Sequence, residues 1–350
     1  MTTLKSGHRS RDDLRDAAGR LSIRRYDAWH SGLDRALAEL PEMPSCPHEL
    51  FRRLALQTSG AEKRFILTLD AGSPVAIAGL RRHHRHWRPM CEEIAPGAVF
   101  PAVAGYVVPA LKASGLDIWV SYLDSPPPQA QTRAIHALPR FSMPCGMDYE
   151  RFWHETGQWG LVKWARRSGR RYTFEVDAPG AAADTIERSI QRWSGTAGSQ
   201  DAIRADMLIA AAHYGRTGQL KAFRLLHDGT PIAGHNFFVD GGRLLFQSTW
   251  HAAEYRKSSP GTRLLDLVMW WARESGYDEV DLGGGHGYKA RWAPCAGHLW
   301  GFNVSPRHTY EVKRLARVAA RTALIARDGA RGLRGGSPDM HPLRRFARHS

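Results

Sequence analysis

The spacing of apolar residues switches between helical and strand periods along most of the chain. Tyr26 to Leu40 predicts a helix stopped by Pro41 and Pro44. Pro47 to Thr58 predicts a second, with proline near its start and Gly60 past its end. Arg64 to Leu69 (RFILTL) predicts a strand, Asp70-Ala-Gly-Ser a turn, and Val75 to Arg82 the returning strand of a hairpin. Ala102 to Ser114 predicts a helix, Leu116 to Leu123 a strand, and Pro126-Pro-Pro a loop. Tyr149 to Ser168 reads as a Trp-rich, mostly helical crossing, and Arg171 to Val176 as a strand. Helices are expected at Asp184 to Trp193 and Asp201 to Tyr214, then strands at Leu220 to His227, Ile232 to Val239 and Arg243 to Trp250. The connections Asp228-Gly-Thr-Pro and Asp240-Gly-Gly are hairpin signals. A helix over Gly261 to Ser275, a strand over Glu279 to Leu282 that runs into Gly283-Gly-Gly-His-Gly, and a strand over Trp300 to Val304 complete the pattern.

The order helix, helix, strand, hairpin occurs at 26–82 and again at 184–239. It predicts two related α/β domains with mixed (α+β) sheets, joined near residues 140–170, the second better formed. The expected division is a first domain at 26–150 and a second at 151–307. Beyond them lie poorly ordered basic ends at 1–25 and 331–350 and a basic amphipathic helix at 308–330.

Composition narrows the class. A chain of 350 residues that is 43% hydrophobic can bury two cores, which excludes intrinsic disorder. No apolar run approaches the roughly 20 unbroken residues a bilayer requires. The first residues have no apolar core behind their charges, so no secretory signal is expected and the setting is read as cytoplasmic. The net charge of +15 gathers at the ends, and the body is nearly neutral. From His308 to Arg327, Val312, Leu315, Val318 and Ile325 recur at helical spacing, with Arg314, Arg317 and Arg321 on another face. Such a helix either packs on the domain or binds an anionic polymer or membrane surface, which would make the protein peripheral at the inner membrane face. Cys46, Cys91, Cys145 and Cys295 form no CxxC pair and read as reduced, structural residues. His83, His84 and His86 sit among Arg81, Arg82, Arg85 and Arg88, where cations repel a metal ion. A solvated basic hairpin is expected there, and no metal site.

Chemistry concentrates between Arg243 and Lys289. After the strand ending at Trp250, the loop Tyr255-Arg-Lys-Ser-Ser-Pro-Gly-Thr enters an amphipathic helix. The first turn of a helix presents free N–H groups and the positive end of the macrodipole. Gly261 admits an anion to the backbone. Ser258, Ser259 and Thr262 can cap or donate, and Arg256, Lys257 and Arg263 add charge, so the segment reads as a phosphate or pyrophosphate cradle, or else as an ordinary capped helix with surface cations. It is not a Walker loop, and Gly283-Gly-Gly-His-Gly-Tyr-Lys is not a dinucleotide fingerprint.

Ala233-Gly-His-Asn-Phe-Phe, Ser259-Pro-Gly-Thr-Arg-Leu-Leu and Asp281-Leu-Gly-Gly-Gly-His-Gly-Tyr-Lys together resemble one family. It is the CelD/BcsL (BioF2-like) acetyltransferase group of the GNAT superfamily. The resemblance is strong over 184–304 and looser over 26–140. It implies two tandem GNAT folds, similar to Fem-type transferases, and acetyl-CoA or another acyl-CoA as donor, with its pyrophosphate near Gly261. In Fem-like relatives the lysine matching Lys289 is assigned to meeting negative charge. Transfer would be direct attack of an amine or hydroxyl on the acyl carbonyl. Tyr288 could donate to the leaving group and Asp281 cap the Gly-rich turn. His251, His235 and Glu254 are candidate bases or acceptor contacts, and His286 a further acceptor contact. Each has a plainer alternative: a surface lysine, a packed tyrosine, a satisfied structural histidine. The expected activity is an acyltransferase acting on a saccharide or envelope precursor. The alternatives are a Fem-like transferase using aminoacyl-tRNA, or a degenerate GNAT pair serving as a scaffold.

Overall fold

The computed structural model describes residues 11–15, 21–43, 46–57, 62–83, 86–92, 99–123, 134–191, 200–284 and 287–304. The basic helix expected at 308–330, the tail at 331–350, the Pro126 loop, His84 and His286 lie outside them. The fold is mixed α/β, built on one 13-stranded sheet.

The chain enters with β1 (Arg11–Arg15) and β2 (Leu21–Tyr26), followed by α1 (Ser31–Ala38), α2 (His48–Leu56), β3 (Lys63–Asp70), β4 (Ser73–His83), β5 (His86–Pro89), α3 (Val107–Ala113) and β6 (Ile118–Leu123). Then come β7 (Ala134–Pro144), α4 (Tyr149–Glu155), α5 (Trp159–Ser168), β8 (Thr173–Val176), α6 (Ala181–Gln191), α7 (Gln200–Arg216), β9 (Leu220–His227), β10 (Thr230–Asp240) and β11 (Arg243–His251). The last elements are α8 (Pro260–Glu274), β12 (Glu279–Gly284) and β13 (Cys295–Val304). Strand, two helices, three antiparallel strands, helix, parallel strand occurs twice, from β2 to β6 and from β8 to β12. The sheet order reflects it: β1-β2-β3-β4-β5-β6-β13-β7-β12-β11-β10-β9-β8.

The two final strands cross over. β7 follows the first repeat but pairs with β12 of the second, and β13 follows the second but pairs with β6 of the first. Neither repeat closes its own sheet edge, so each depends on the other.

Local sequence explains the rest. The strands β3, β4 and β10 are buried along most of their length, as expected of sheets covered on both faces. In the hairpin turns, Ala71 and Gly72, and again Asp228 and Gly229, all take positive φ. That is the backbone twist two-residue hairpins need. One apolar core joins α1, α2 and α3 with Ile186 of α6 and Met207, Ala210 and Tyr214 of α7. A second packs α4, α5 and α8 on β7, β9, β10 and β12. No helix among the described residues is long and apolar enough to cross a membrane.

Two features differ from expectation. Residues 11–15 and 21–25, read as part of a poorly ordered basic end, and Tyr26, read as the start of a helix, form β1 and β2, because Leu21 and Ile23 alternate inward and Arg25 Nη2 donates to the Ser114 carbonyl at 2.6 Å. The basic hairpin forms, with His83 opposite His86, but it is not fully solvated. Its Arg81 side chain is 3% exposed and pairs at 2.7 Å with Asp206 of α7. Cys46 and Cys91 are free and buried, in line with the reading as reduced, structural residues, and although remote in sequence their sulfurs lie 2.9 Å apart.

The Arg81–Asp206 pair is a buried ion pair between the repeats, and leaving one member of such a pair alone costs about 3–5 kcal/mol. Asp206→Ala is expected to lower unfolding free energy by that order in a denaturant titration. Arg81→Met with Asp206→Leu should recover most of it. A loss under about 1 kcal/mol for Asp206→Ala would show that the pair contributes little.

Candidate functional site

The site follows from how β11 and β12 pair. These parallel strands are hydrogen-bonded only over Arg243–Leu245 and Glu279–Asp281. Past that point β11 stays with β10 as far as His251, while β12 stays with β7 as far as Gly284. The strands therefore part and open a gap in the sheet.

Lys289 fills the base of that gap. The turn Gly287–Arg291 returns its side chain between the parted strands. Its Nζ lies 5.2 Å from the centre of the Phe246 ring on β11 and 3.4 Å from the Gly284 carbonyl on β12. The residue is 7% exposed, and burial pushes its ammonium down to about 8, against the opposing pull of Asp281. Gly283 has φ +70°, a backbone conformation that favours glycine, and a Cβ there would only make ordinary contact with Lys289 Nζ at 3.5 Å.

Asp281 faces the other way. Its Oδ1 accepts from the Gly283 amide at 2.7 Å and its Oδ2 from Arg140 Nε of β7 at 2.6 Å. Burial raises its carboxyl above the ordinary value, while the Gly283 amide and the Arg140 guanidinium hold it down. Arg140 also donates to Glu279, which accepts from Ser142 Oγ at 2.7 Å.

His235 of β10 is 5% exposed and packs its ring 5.9 Å from that of Phe246. Among the described residues its Nδ1 has no hydrogen-bond partner, and burial, with His251 nearby, pushes the imidazole down to about 3. His251, half-buried at the end of β11, approaches the start of α8. A Cβ on Gly261 would meet its Nδ1 at 3.7 Å, an ordinary contact. The structure thus groups His235, His251, Gly261, Asp281 and Lys289 about the parted strands. Glu254 is exposed on the one-turn segment Ala253–Ser258, and the Tyr288 side chain and His286 lie outside the described residues.

The loop before α8 is fixed from below. Trp164 Nε1 donates to the Lys257 carbonyl at 3.1 Å, and Tyr172 Oη is 2.6 Å from Ser258 Oγ, which donates to the Tyr255 carbonyl. Arg263 donates to Asp266 at 2.7 Å, where Arg166 and Tyr149 also converge. Ser258 and Arg263 are therefore engaged within the fold. Ser259 holds a left-handed conformation at φ 51° and makes no side-chain cap. Pro260 has no N–H, so the amides of Gly261 and Thr262 head the helix without a side-chain cap. Arg256 and Lys257 are exposed beside them.

Sequence reasoning had missed Arg140, Phe246 and the Asp266 cluster. Arg140 had no signal, because β7 was not foreseen and its partner Asp281 is 141 positions away. Phe246 lay in a foreseen strand, but only the parting of β11 from β12 gives it a role.

Residues 161–290, from α5 to the lysine turn, match the family described as acetyltransferase (GNAT) domain. Among solved structures the chain resembles a crystal structure of FemX, at 12% identity and a TM-score of 0.44, covering 79% of this chain and 96% of that one. It also resembles the C-terminal domain of a protein assigned as a lysylphosphatidylglycerol synthetase from Agrobacterium fabrum (14%, TM-score 0.46, 77% and 91% covered). A tandem GNAT protein from the clavulanic acid biosynthesis pathway is similar too (13%, TM-score 0.43, 82% and 99% covered). No curated protein matches. The match is to the acetyltransferase (GNAT) domain at large and does not single out the CelD/BcsL group within that superfamily.

Proposed function

We propose that this protein transfers an acyl group, acetyl in the simplest case, from acyl-CoA to an amine or hydroxyl of a saccharide or cell-envelope precursor. The observation that carries the reading is the gap between β11 and β12, with the Lys289 ammonium between Phe246 and the Gly284 carbonyl. The residues present fit the donor. The Gly261 and Thr262 amides suit a pyrophosphate, no backbone crowds the Gly261 Cα, and Arg256 and Lys257 lie alongside.

Bound there, acyl-CoA supplies a thioester carbonyl. In this reading Lys289 meets the charge that develops on the carbonyl oxygen, and its burial would spare it the reorganisation an exposed lysine needs. The acceptor nitrogen or oxygen forms the new bond to the acyl carbon as the carbon–sulfur bond breaks, and the acceptor's proton leaves with the departing thiolate or through a base. We assign that base to His251, at the end of β11 beside the start of α8. His235 is too acidic to serve as one and offers its unpartnered ring nitrogen to the acceptor instead. Asp281 shapes the Gly283 turn.

Lys289→Ala is expected to cut single-turnover transfer about 100- to 1,000-fold with donor affinity little changed. Near-wild-type turnover would remove Lys289 from the mechanism. Because only the protonated lysine meets an oxyanion, wild-type turnover should fall as pH rises through about 8. Stability moves oppositely. Between about 8 and the ordinary value of 10.5 the unfolded chain holds the extra proton, so this lysine's destabilising effect fades as pH rises through that window.

A thermal-shift panel of acetyl-CoA, longer acyl-CoAs and aminoacyl-tRNA tests the donor. Acyl-CoA at a hundredfold excess over its dissociation constant is expected to stabilise the fold by about 2.7 kcal/mol. Gly261→Val should abolish the shift without unfolding the chain. Equal shifts in both proteins would displace the donor from α8, and a response to aminoacyl-tRNA alone would favour the Fem-like alternative.

A further inference from the structure

Arg140 touches neither the gap nor the helix start, yet it is built into the lysine's surroundings. It comes from β7, the strand the first repeat gives to the second, and its register partner is Gly284. Its guanidinium lies against two carboxylates of β12, donating to Asp281 Oδ2 at 2.6 Å and to Glu279. The Asp281 side chain is 5% exposed and that of Arg140 18%. Asp281 thus spends one oxygen on Arg140 and the other on the Gly283 amide.

We propose that Arg140 is a positioning residue for the transfer reaction: it keeps the Asp281 carboxylate turned toward β7, so that the Lys289 amine stays free in the gap instead of pairing with Asp281. The proposal rests on Lys289 being the cation that serves the reaction.

The electrostatics around Lys289 make the alternative state plain. On β12 it faces Asp281, with Glu279 and the Arg140 guanidinium behind. On β11 it meets the uncharged Phe246 ring. On β10, His235 is neutral at any pH of interest, and His251 closes the end of β11. Asp281 is therefore the anion that draws on Lys289. Without the guanidinium, two carboxylates on β12 would face one buried ammonium. The lysine would be drawn to Asp281, and opposite charges in contact favour the protonated form. A lysine so paired keeps its charge but has fewer N–H groups to turn toward an oxyanion, because hydrogen bonds to the carboxylate are already made.

The test follows the lysine itself. Full-length protein with lysine labelled at Cε with carbon-13 is titrated by NMR, with the Lys289 signal assigned from Lys289→Arg. In Arg140→Gln the Lys289 titration should rise from about 8 to about 9 or above. The alkaline fall of turnover should move with it, and turnover at pH 7 should drop at least tenfold with donor affinity kept. Arg140→Lys reaches fewer carboxylate oxygens and should give intermediate values. In Arg140→Gln with Asp281→Asn the lysine should titrate at or below its wild-type value, because the competing partner is gone. That reversal separates the proposal from a merely structural role, and the Arg140→Lys series carries the test should Arg140→Gln fold poorly. A Lys289 titration that stays put or falls in Arg140→Gln, or stays raised in the double variant, overturns the proposal. Full turnover in Lys289→Ala would instead overturn the reading of Lys289, and the titrations would be unaffected by that result.

Discussion

β12 offers two edges to partners of unequal length. On the β7 side it is paired from Glu279 to Gly284, and on the β11 side from Glu279 to Asp281 only. Past Leu245, β11 stays paired with β10 through Trp250 and His251 and is no longer paired with β12. The gap opens where the two outer pairings, β11 with β10 and β12 with β7, run on beyond the end of the β11–β12 ladder. Because β7 reaches β12 from the first repeat, the second repeat cannot form its site alone. Crossing the terminal strands is what couples the first half of the chain to the chemistry of the second.

A charge placed in such a gap is expensive. Desolvation alone drives Lys289 toward neutrality, and Asp281 offsets part of it. Full pairing with Asp281 would be better for stability and, under the proposed function, worse for a lysine that has to meet a substrate. Arg140 and the Gly283 amide take up the carboxylate and leave the amine underused. Keeping a polar group partly unsatisfied fits a functional site better than a structural one. His235 shares this character, with a buried ring nitrogen and no partner.

Much of this was legible in the sequence because the signals are local. The strands β9, β10 and β11 and their Asp228-Gly229 and Asp240-Gly241 turns follow from alternation and turn chemistry. The start of α8 follows from Ser259-Pro260-Gly261. The missed elements depend on distant partners. β7 carries Pro139 and is ordered by pairing with β12 and β13, more than 130 positions along the chain. β2 hides two apolar residues among arginines, and only β3 shows which face is inward. Asp281 was visible as a strand-end acid, but its orientation was set by Arg140, which no local pattern connects to it.

The same distinction sorts the side chains of the proposed donor loop into those the fold engages and those it leaves exposed. By composition the segment 255–263 is a cluster of cations and hydroxyls, and all look equally available. In the fold, Arg263 is drawn down to Asp266, which already holds Arg166, and Ser258 is held between Tyr172 and the Tyr255 carbonyl. Those contacts fix the loop from below and remove these side chains from its outer face. What remains outward is the backbone: two helix-starting amides, a left-handed Ser259 that turns the chain into them, and Gly261 with no side chain to cover them. A cradle of that kind owes its anion preference chiefly to amide dipoles, with Arg256 and Lys257 adding a screened contribution. Salt should therefore weaken the encounter with an anionic donor more than it weakens the bound state.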